Sequence, residues 1–336
     1  MAKITLGGIK ILEGRSYVDW YSNQGEESLA GICSRLAAEQ INISQVTHIA
    51  DDGKGHSSTA LSTDSINSFT SYLLIKLGAG EMPQLRHDTS ILSVFPHDGR
   101  PFIMGAILDL MAREDMRPIG IASSPSAMSV VVASEDTKQT IDSIFDVFEF
   151  PTYRSPLEWQ AAYVGKEEMF RNVVGSYDEQ TLKVYAVLEQ PDLDLWTLLL
   201  NRTELKQMGD ALRELDALGT KMPFFVAHWD RPDEVVVSFC FSSSKRRDVM
   251  KALQAHVPNA ASSVHDAAGI FLHGPHFGDR YRIAGVLAES LQTAGIKPLA
   301  LSCAVHSISV VLENEDLGRG LQAIKTQFHV PSGKSR

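Results

Sequence analysis

The 336-residue chain contains only three cysteines, Cys33, Cys240 and Cys303, and they lie far apart in the sequence. An odd and scattered set does not build a disulfide framework, so it favours a reducing cytoplasm. No apolar run approaches the ~20 residues that cross a bilayer, and the first residues lack the basic start and apolar centre of a secretory signal. We therefore expect a cytoplasmic protein without a membrane partner.

Clustered positive charge is also scarce. The chain has 31 Lys and Arg against 41 Asp and Glu, which gives a net charge of −10, and no long stretch is basic. Nucleic-acid binding needs clustered cations that neutralise phosphates, so we expect no nucleic-acid partner. A hydrophobic content of 44% with 21% charged residues is typical of a soluble globular protein.

The familiar catalytic motifs are missing too. The sequence has no Walker loop, no G-x-S-x-G elbow, no CxxC pair and no H-E-x-x-H. The most metal-like group is His273 and His276 on a Gly-Pro loop, followed by Asp279, without a cysteine or acidic cluster at ligand spacing nearby. We predict no catalytic residue, no metal and no cofactor. An enzyme that uses His273, His276 and Asp279 is the alternative.

What the chain does contain is an internal repeat at an offset of 180 residues. The agreement runs without a gap over about fifty residues. The matched positions are Arg100 with Arg280, Ile103 with Ile283, Gly105 with Gly285, Pro118 with Pro298, 129–131 with 309–311, 135–136 with 315–316, and Phe148 with Phe328. The chain is interpreted as a duplication with its midpoint near 152–165.

Each half divides again into two similar patterns. In residues 89–160, apolar strand-like runs alternate with two helical faces, the first of which carries Ile103, Ile107, Leu108 and Met111. The predicted strands are 91–95, 119–122, 128–133 and a closing strand near 149–153. This β-α-β-β-α-β order is that of the ferredoxin-like, split βαβ sandwich.

We therefore predict an α+β protein with four tandem ferredoxin-like units arranged as a duplicated pair. The expected units are 1–88, 89–160, 161–264 and 265–336, of which the third shows the pattern most weakly. Such a sandwich leaves one sheet face and its edges open, so we expect the units to cover one another. The fold alone does not define a function.

Several stretches resemble the ACT-domain family, above all the regulatory half of aspartate kinase. The resemblance rests on Ile121–Ser124 leading into Met128–Val131, on Leu301–Cys303 leading into Ile308–Val311, on the acidic helix starts Glu135-Asp136 and Glu315-Asp316, and on Gln40–Ile43. The Lys-Phe-Gly-Gly motif of the kinase domain is absent. The resemblance therefore implies ACT-like units that bind an amino-acid effector and regulate, without phosphoryl transfer.

In that family the effector binds where two units meet, between the loop after the first strand and the second strand of the partner unit. Carried over by position, the implied ligand-binding residues are Asp98, Gly99, Arg100, Ile103, Ser123 and Ser124 in unit two, Gly278, Asp279, Arg280, Ile283 and Ser302 in unit four, and Asn42 and Gln45 in unit one.

The residue chemistry supports these loops. A loop that opens a helix offers free N–H groups to a carboxylate, an aspartate can pair with an ammonium group, and Arg100 or Arg280 can form two hydrogen bonds to a carboxylate. The alternative is that the loops are solvated turns. The expected partners are an amino-acid effector and either further copies of the chain or a regulated enzyme. An oligomeric scaffold without a ligand is a further possibility.

Overall fold

The computed structural model describes residues 3–22, 29–50, 57–79, 82–163, 182–231, 233–274, 282–304 and 307–329. Within them the chain forms sixteen strands and nine α-helices. The strands are β1 (Ile4–Thr5), β2 (Gly8–Ser22), β3 (Ile43–Ala50), β4 (Ser57–Asp64), β5 (Gln84–Phe95), β6 (Gly120–Ser123), β7 (Met128–Ala133), β8 (Phe148–Glu149), β9 (Leu182–Lys183), β10 (Ala186–Asn201), β11 (Phe224–Arg231), β12 (Glu234–Ser242), β13 (Ala261–His273), β14 (Ala300–Ala304), β15 (Ser307–Glu313) and β16 (Phe328–His329). The helices are α1 (Leu29–Ala38), α2 (Ser68–Lys76), α3 (Pro101–Arg113), α4 (Thr137–Val147), α5 (Pro156–Tyr163), α6 (Leu205–Ala217), α7 (Arg246–His256), α8 (Ile283–Thr293) and α9 (Leu317–Gln327).

Twelve strands form one closed antiparallel ring. Their neighbour order is β10-β12-β11-β6-β7-β5-β2-β4-β3-β14-β15-β13, and β13 returns to β10. The remaining strands form two short parallel pairs, β1 with β8 and β9 with β16. Within the described residues, no helix is long and apolar enough to span a membrane.

Long strands connect neighbouring parts of this ring. β2 and β5 pair along most of their length, but residues 15–22 of β2 continue to β4, whereas residues 89–94 of β5 continue to β7. The local orders β5-β2-β4-β3 and β2-β5-β7-β6 are each the strand order of a βαββαβ sandwich. β10 and β13 repeat this arrangement in the second half of the chain.

Because neighbouring parts of the ring share strands, the structure differs from the expected unit boundaries and from the expected closing strand. β5 runs through the expected boundary at 88/89, and β13 runs through the boundary at 264/265. The closing strand near 149–153 was wrong in its placement, because Phe148–Glu149 pairs with β1 instead of the ring. The edge of β5 that it would have covered is already occupied by the first half of β2.

The helices cover the outside of the ring in two groups. Pro101 starts α3 at a position where its missing N–H costs no hydrogen bond, and the predicted apolar face at Ile103, Ile107 and Leu108 is buried. Burial of each such side chain contributes about 1.5–3 kcal/mol. The first core cluster joins α3, α4, α6 and α7 to the sheet, and the second joins α1, α8 and α9. The βαββαβ order implied a second helix in unit one, but the local pattern assigned no residues to α2, and α5 was not expected.

Inside the ring, the two halves of the sheet face one another. The edges of the expected units are joined where β6 pairs with β11 and β3 pairs with β14. Apolar side chains from β3, β6, β11 and β14 share one inner cluster. Hydroxyl and imidazole groups lie beside it, so the contact between the facing sheets is partly polar.

Candidate functional site

The loop before α3 is held by a buried histidine. The His97 Nδ1 accepts a hydrogen bond from the Gly99 N–H at 3.0 Å, and the Nε2 donates to the Ser124 carbonyl at 2.5 Å. This arrangement requires the neutral imidazole, and burial lowers the pKa of His97. The loop and the predicted residue Ser124 are therefore brought together, although Ser124 participates through its backbone.

Arg100 reaches from this loop to the end of α6. Its Nη2 lies 2.8 Å from Oδ2 of Asp216, and its Nε lies 3.4 Å from Oδ1. The guanidinium carbon also lies 5.6 Å from the centre of the Phe102 ring. The two-point contact with a carboxylate that the sequence led us to expect is thus made to a carboxylate of the same chain. Nothing in the local sequence identifies Asp216, which lies 116 residues away.

Two hydrogen bonds to backbone carbonyls close the same loop against the segment after α6. The Asp98 carbonyl accepts from Lys221 Nζ at 2.9 Å, and the Gly99 carbonyl accepts from the Met222 N–H at 2.8 Å. Ile103 is buried in the first turn of α3. These contacts join the loop to the residues just before β11, in the expected unit three, whereas the second-strand residues implied for the site lie in units one, two and four.

The opposite end of the α3–α6 interface is closed in a related way. Arg202, just before α6, donates through Nη2 to the Asp115 carbonyl at 2.9 Å and to its carboxylate at 2.6 Å. Between the two ends the helices approach so closely that a Cβ atom added to Gly105 would lie 2.7 Å from the Gly209 carbonyl oxygen. The α3–α6 interface is therefore packed backbone against backbone.

The corresponding contact between α1 and α8 is more open. A Cβ atom added to Gly285 would lie 3.4 Å from the Cβ of Cys33, an ordinary contact distance. An open cleft of about 340 Å³ lies beside this contact. We call it the α1–α8 cleft, and its lining residues are Ser34, Ala37, Ala38, Arg282, Gly285, Val286 and Glu289.

The cleft carries opposite charges along α8. Arg282 precedes the helix with a left-handed φ of +75°, and its carbonyl accepts the Val286 N–H at 2.7 Å as an early bond of the helix. The first N–H groups of a helix have no partner within it and favour an anion. Glu289 lies two turns further on and accepts a hydrogen bond from Ser34 of α1. An anion is thus favoured at one end of the cleft and a cation at the other.

A second, much narrower pocket adjoins the cleft and shares Ala37, Arg282 and Gly285 with it. It is lined by Ile41 and Ile43 at the start of β3, by the predicted residue Ile283, and by Cys33 and Cys303. Both cysteines are buried, and burial raises the pKa of each thiol to about 12. These thiols are therefore protonated at neutral pH and belong to the apolar wall.

Two more predicted residues lie at or just before the start of β3. Asn42 stands between Ile41 and Ile43, and Gln45 is buried in β3 opposite Ala304 of β14. The start of the second strand of unit one and the start of the first helix of unit four therefore meet. Gly278, Asp279 and Arg280 lie outside the described residues. Arg282, Ser34 and Glu289 carried no signal in the sequence.

Ser123 and Ser302 lie in a different place from the helix clefts. The Ser302 hydroxyl donates to the Ser123 carbonyl at 2.9 Å between the facing sheets. Nearby, the His228 ring contacts the hydroxyls of Thr47 and Ser58 from the opposite sheet at 2.5 and 2.9 Å. The structure thus brings the two serines to each other and to the inter-sheet contact.

The alternative histidine loop is only partly described. His273 Nδ1 lies 3.2 Å from the Ser307 hydroxyl, and its ring centre lies 6.2 Å from that of Tyr185. His276 and Asp279 lie outside the described residues. In the part of the chain that the structure describes, no three His, Cys, Asp or Glu side chains are grouped to hold a metal ion.

Comparison with known proteins identifies structural neighbours. No protein-family model matches the chain, and no curated protein sequence matches it. The aspartate kinase from Synechocystis superimposes with a TM-score of 0.79 at 13% identity, over 98% of this chain and 57% of that one. This chain thus spans little more than half the length of that kinase. At this identity the similarity establishes a shared fold.

Two smaller matches are also to aspartate kinases. The ligand-free regulatory subunit from Thermus thermophilus matches with a TM-score of 0.40 at 14% identity, over 44% of this chain and 99% of that one. Aspartokinase III from E. coli, in complex with lysine and aspartate, matches with a TM-score of 0.33 at 14% identity, over 43% of this chain and 33% of that one.

Proposed function

We propose that this chain is an amino-acid-binding regulatory protein built of four ACT-like units, with its effector bound in the α1–α8 cleft. One observation carries the proposal. A cleft with an anion-favouring end and a carboxylate lies where the first helix of unit four meets the first helix and second strand of unit one. The resemblance to ACT domains implies an effector beside this cleft, between the loop before α8 and the second strand of unit one.

The chemistry of the cleft suits a ligand of both signs. We expect the ligand carboxylate at the start of α8, where N–H groups and Arg282 favour an anion. Glu289 then accepts the hydrogen bonds of a cationic group. Seven residues of helix separate the two side chains, about 10 Å along the axis. An extended lysine or arginine, with a hydrogen bond of about 3 Å at each end, matches this length better than a short amino acid.

The α3–α6 interface suggests how binding could regulate. Its loops are held by Arg100–Asp216 and Arg202–Asp115, and its helices touch at Gly105. We propose that this closed interface acts as a fixed hinge while the effector changes the separation of α1 and α8. A ligand shifts such an equilibrium only by its differential affinity for the two arrangements. Effector binding would then change the activity of a partner enzyme or the assembly of the chain with other copies.

The first test is a thermal-shift screen of the full chain with the twenty amino acids, followed by calorimetric titration. A ligand that prefers the folded state raises its stability as the ligand concentration rises. We expect lysine or arginine to give the largest shift, with one ligand bound per chain. A flat screen would overturn the proposed function.

Matched variants then locate the site. Glu289→Gln should raise the Kd at least about tenfold, because it removes one charged hydrogen bond. Arg282→Gly should weaken binding and keep the fold, since glycine adopts a φ of +75° without strain. Arg100→Ala is the control and should change the Kd less than about twofold, a smaller effect than one charged hydrogen bond. Weaker binding in the control alone would move the site to the α3–α6 interface.

A further inference from the structure

The helix α2 and its flanks expose a continuous row of large apolar side chains. Ile66, Phe69, Leu73 and Leu77 are 92%, 66%, 42% and 76% exposed. Their spacing of three or four residues places them along one side of a helix. We call these four residues the apolar stripe.

The polarity of α2 is inverted. Its buried side carries Ser68, Ser71 and Ile75, and the Ser71 hydroxyl lies 3.2 Å from that of Thr63 in β4. A helix on the surface of a globular protein normally buries its apolar side and exposes its polar one. Apolar residues kept outside while serines are buried indicate a surface that is covered by a partner.

The corresponding helix of the next unit shows the ordinary arrangement. α4 buries Ile141, Ile144 and Phe145, and it exposes charged residues such as Lys138 and Asp142. The fold therefore does not require the inversion, because α4 occupies an equivalent position and buries its apolar side.

We propose that the apolar stripe is the contact surface of a homodimer, covered by the same stripe of a second copy of this chain. The four side chains expose about 500 Å², an apolar patch of the size that marks interaction sites. Two copies together would bury about 1,000 Å², which reaches the lower limit for a specific interface before any rim is counted. A twofold dimer requires a self-complementary patch, and a uniform apolar row meets that requirement.

Charge also favours a second copy. The segment from Ser65 to Ala79 contains no acidic residue and a single cation, Lys76. If two α2 helices pack antiparallel with Leu73 near the twofold axis, Lys76 of each copy lies opposite Thr70 of the other. The dimer then brings no like charges together, although each chain carries a net charge of −10.

Sedimentation velocity of the full chain from about 1 to 100 μM tests this proposal, a range that covers the affinity of a small interface. The expected result is a species of twice the 36.9 kDa chain mass that gains population with concentration. Phe69→Glu should shift the chain to monomer at every concentration. Because Phe69 is exposed, the melting temperature of the Phe69→Glu variant should stay close to that of the parent chain. Met250→Glu is the control, since Met250 is an exposed apolar residue on α7.

Cross-linking distinguishes a stripe contact from any other dimer. The three natural cysteines are buried, so Leu73→Cys supplies an exposed thiol near the proposed axis. Mild oxidation by oxidised glutathione should convert this variant into a disulfide-linked dimer, while Met250→Cys should stay a monomer on a denaturing gel. A parent chain that stays monomeric, a dimer that survives Phe69→Glu, or equal cross-linking of both cysteine variants would each overturn the proposal.

Discussion

Acid should weaken the contact between the two facing sheets through one histidine. His228 of β11 is buried, and its Nε2 and Nδ1 lie 2.5 and 2.9 Å from the hydroxyls of Thr47 and Ser58 in the opposite sheet. The hydroxyls can donate to or accept from a neutral ring. Burial, and after it the nearby His48, lower the pKa of His228 to about 3. The pKa of His48 is itself lowered to about 4 by burial.

The direction and size of the effect follow from the two pKa values. A histidine in the unfolded chain takes up its proton near pH 6.5. The folded protein leaves His228 neutral until about pH 3, so between these values only the unfolded state holds the extra proton. The free energy of unfolding therefore has its full value above pH 6.5. As the pH falls below 6.5, His228 alone lowers the free energy of unfolding by up to about 1.4 kcal/mol per pH unit.

A comparison with His228→Gln isolates this contribution. The amide can keep one hydroxyl contact but cannot titrate, and the lost hydrogen bond should cost about 1–3 kcal/mol at pH 7.5. On acidification the parent loses its higher free energy of unfolding, so the parent and the variant should be equally stable near about pH 5. Other titrating groups are common to both proteins and cancel in the difference.

Urea unfolding of both proteins between pH 7.5 and 4.5 measures the difference. His87→Gln on β5 is the control, because His87 is exposed and its substitution leaves the contact between the facing sheets intact. If the stability gap between the parent and His228→Gln stays constant from pH 7.5 to 4.5, the argument about a buried neutral imidazole is refuted.

Two further predictions concern packing and an ion pair with a buried carboxylate. Gly209→Ala should lower the free energy of unfolding by about 1–3 kcal/mol in urea, because its Cβ would lie 2.8 Å from the Gly105 carbonyl. In contrast, Gly318→Ala meets nothing within 4 Å and should stabilise α9 by less than about 1 kcal/mol; equal effects would contradict the close helix contact. Asp194→Asn should cost about 1–3 kcal/mol, since the buried carboxylate accepts from Arg246 Nε at 2.8 Å. Unchanged urea unfolding would show that the solvent already screens this pair.

Much of the secondary structure could be predicted from local patterns. The face of α3 at Ile103 and Ile107 and the strand at Met128–Ala133 were confirmed, because helical and strand periodicities are properties of short segments. The residues of α2 could not be assigned, for the opposite reason. Its apolar residues point outward and its serines inward, so its pattern does not follow the usual rule.

The sequence pointed to a location for the candidate site but not to the side chains that line the cleft. The repeat and the resemblance pointed to the start of α8 and the start of β3, and Ile283 lines the narrow pocket beside the cleft. The roles of Glu289 and Asp216 could not be foreseen. Each acts on a group more than 100 residues away in sequence, and such a neighbour leaves no trace in the local pattern.

The sequence by itself determined the repeating alternation of strands and helices, because hydrophobic periodicity and turn chemistry act over a few residues. Only the tertiary structure decided which strands share an edge, so that β2 and β5 each serve two neighbouring sandwiches. It also decided that α3 and α6 touch backbone to backbone while α1 and α8 leave a cleft. Strand partners and helix separations depend on the closing of the whole ring, and no segment carries that information alone.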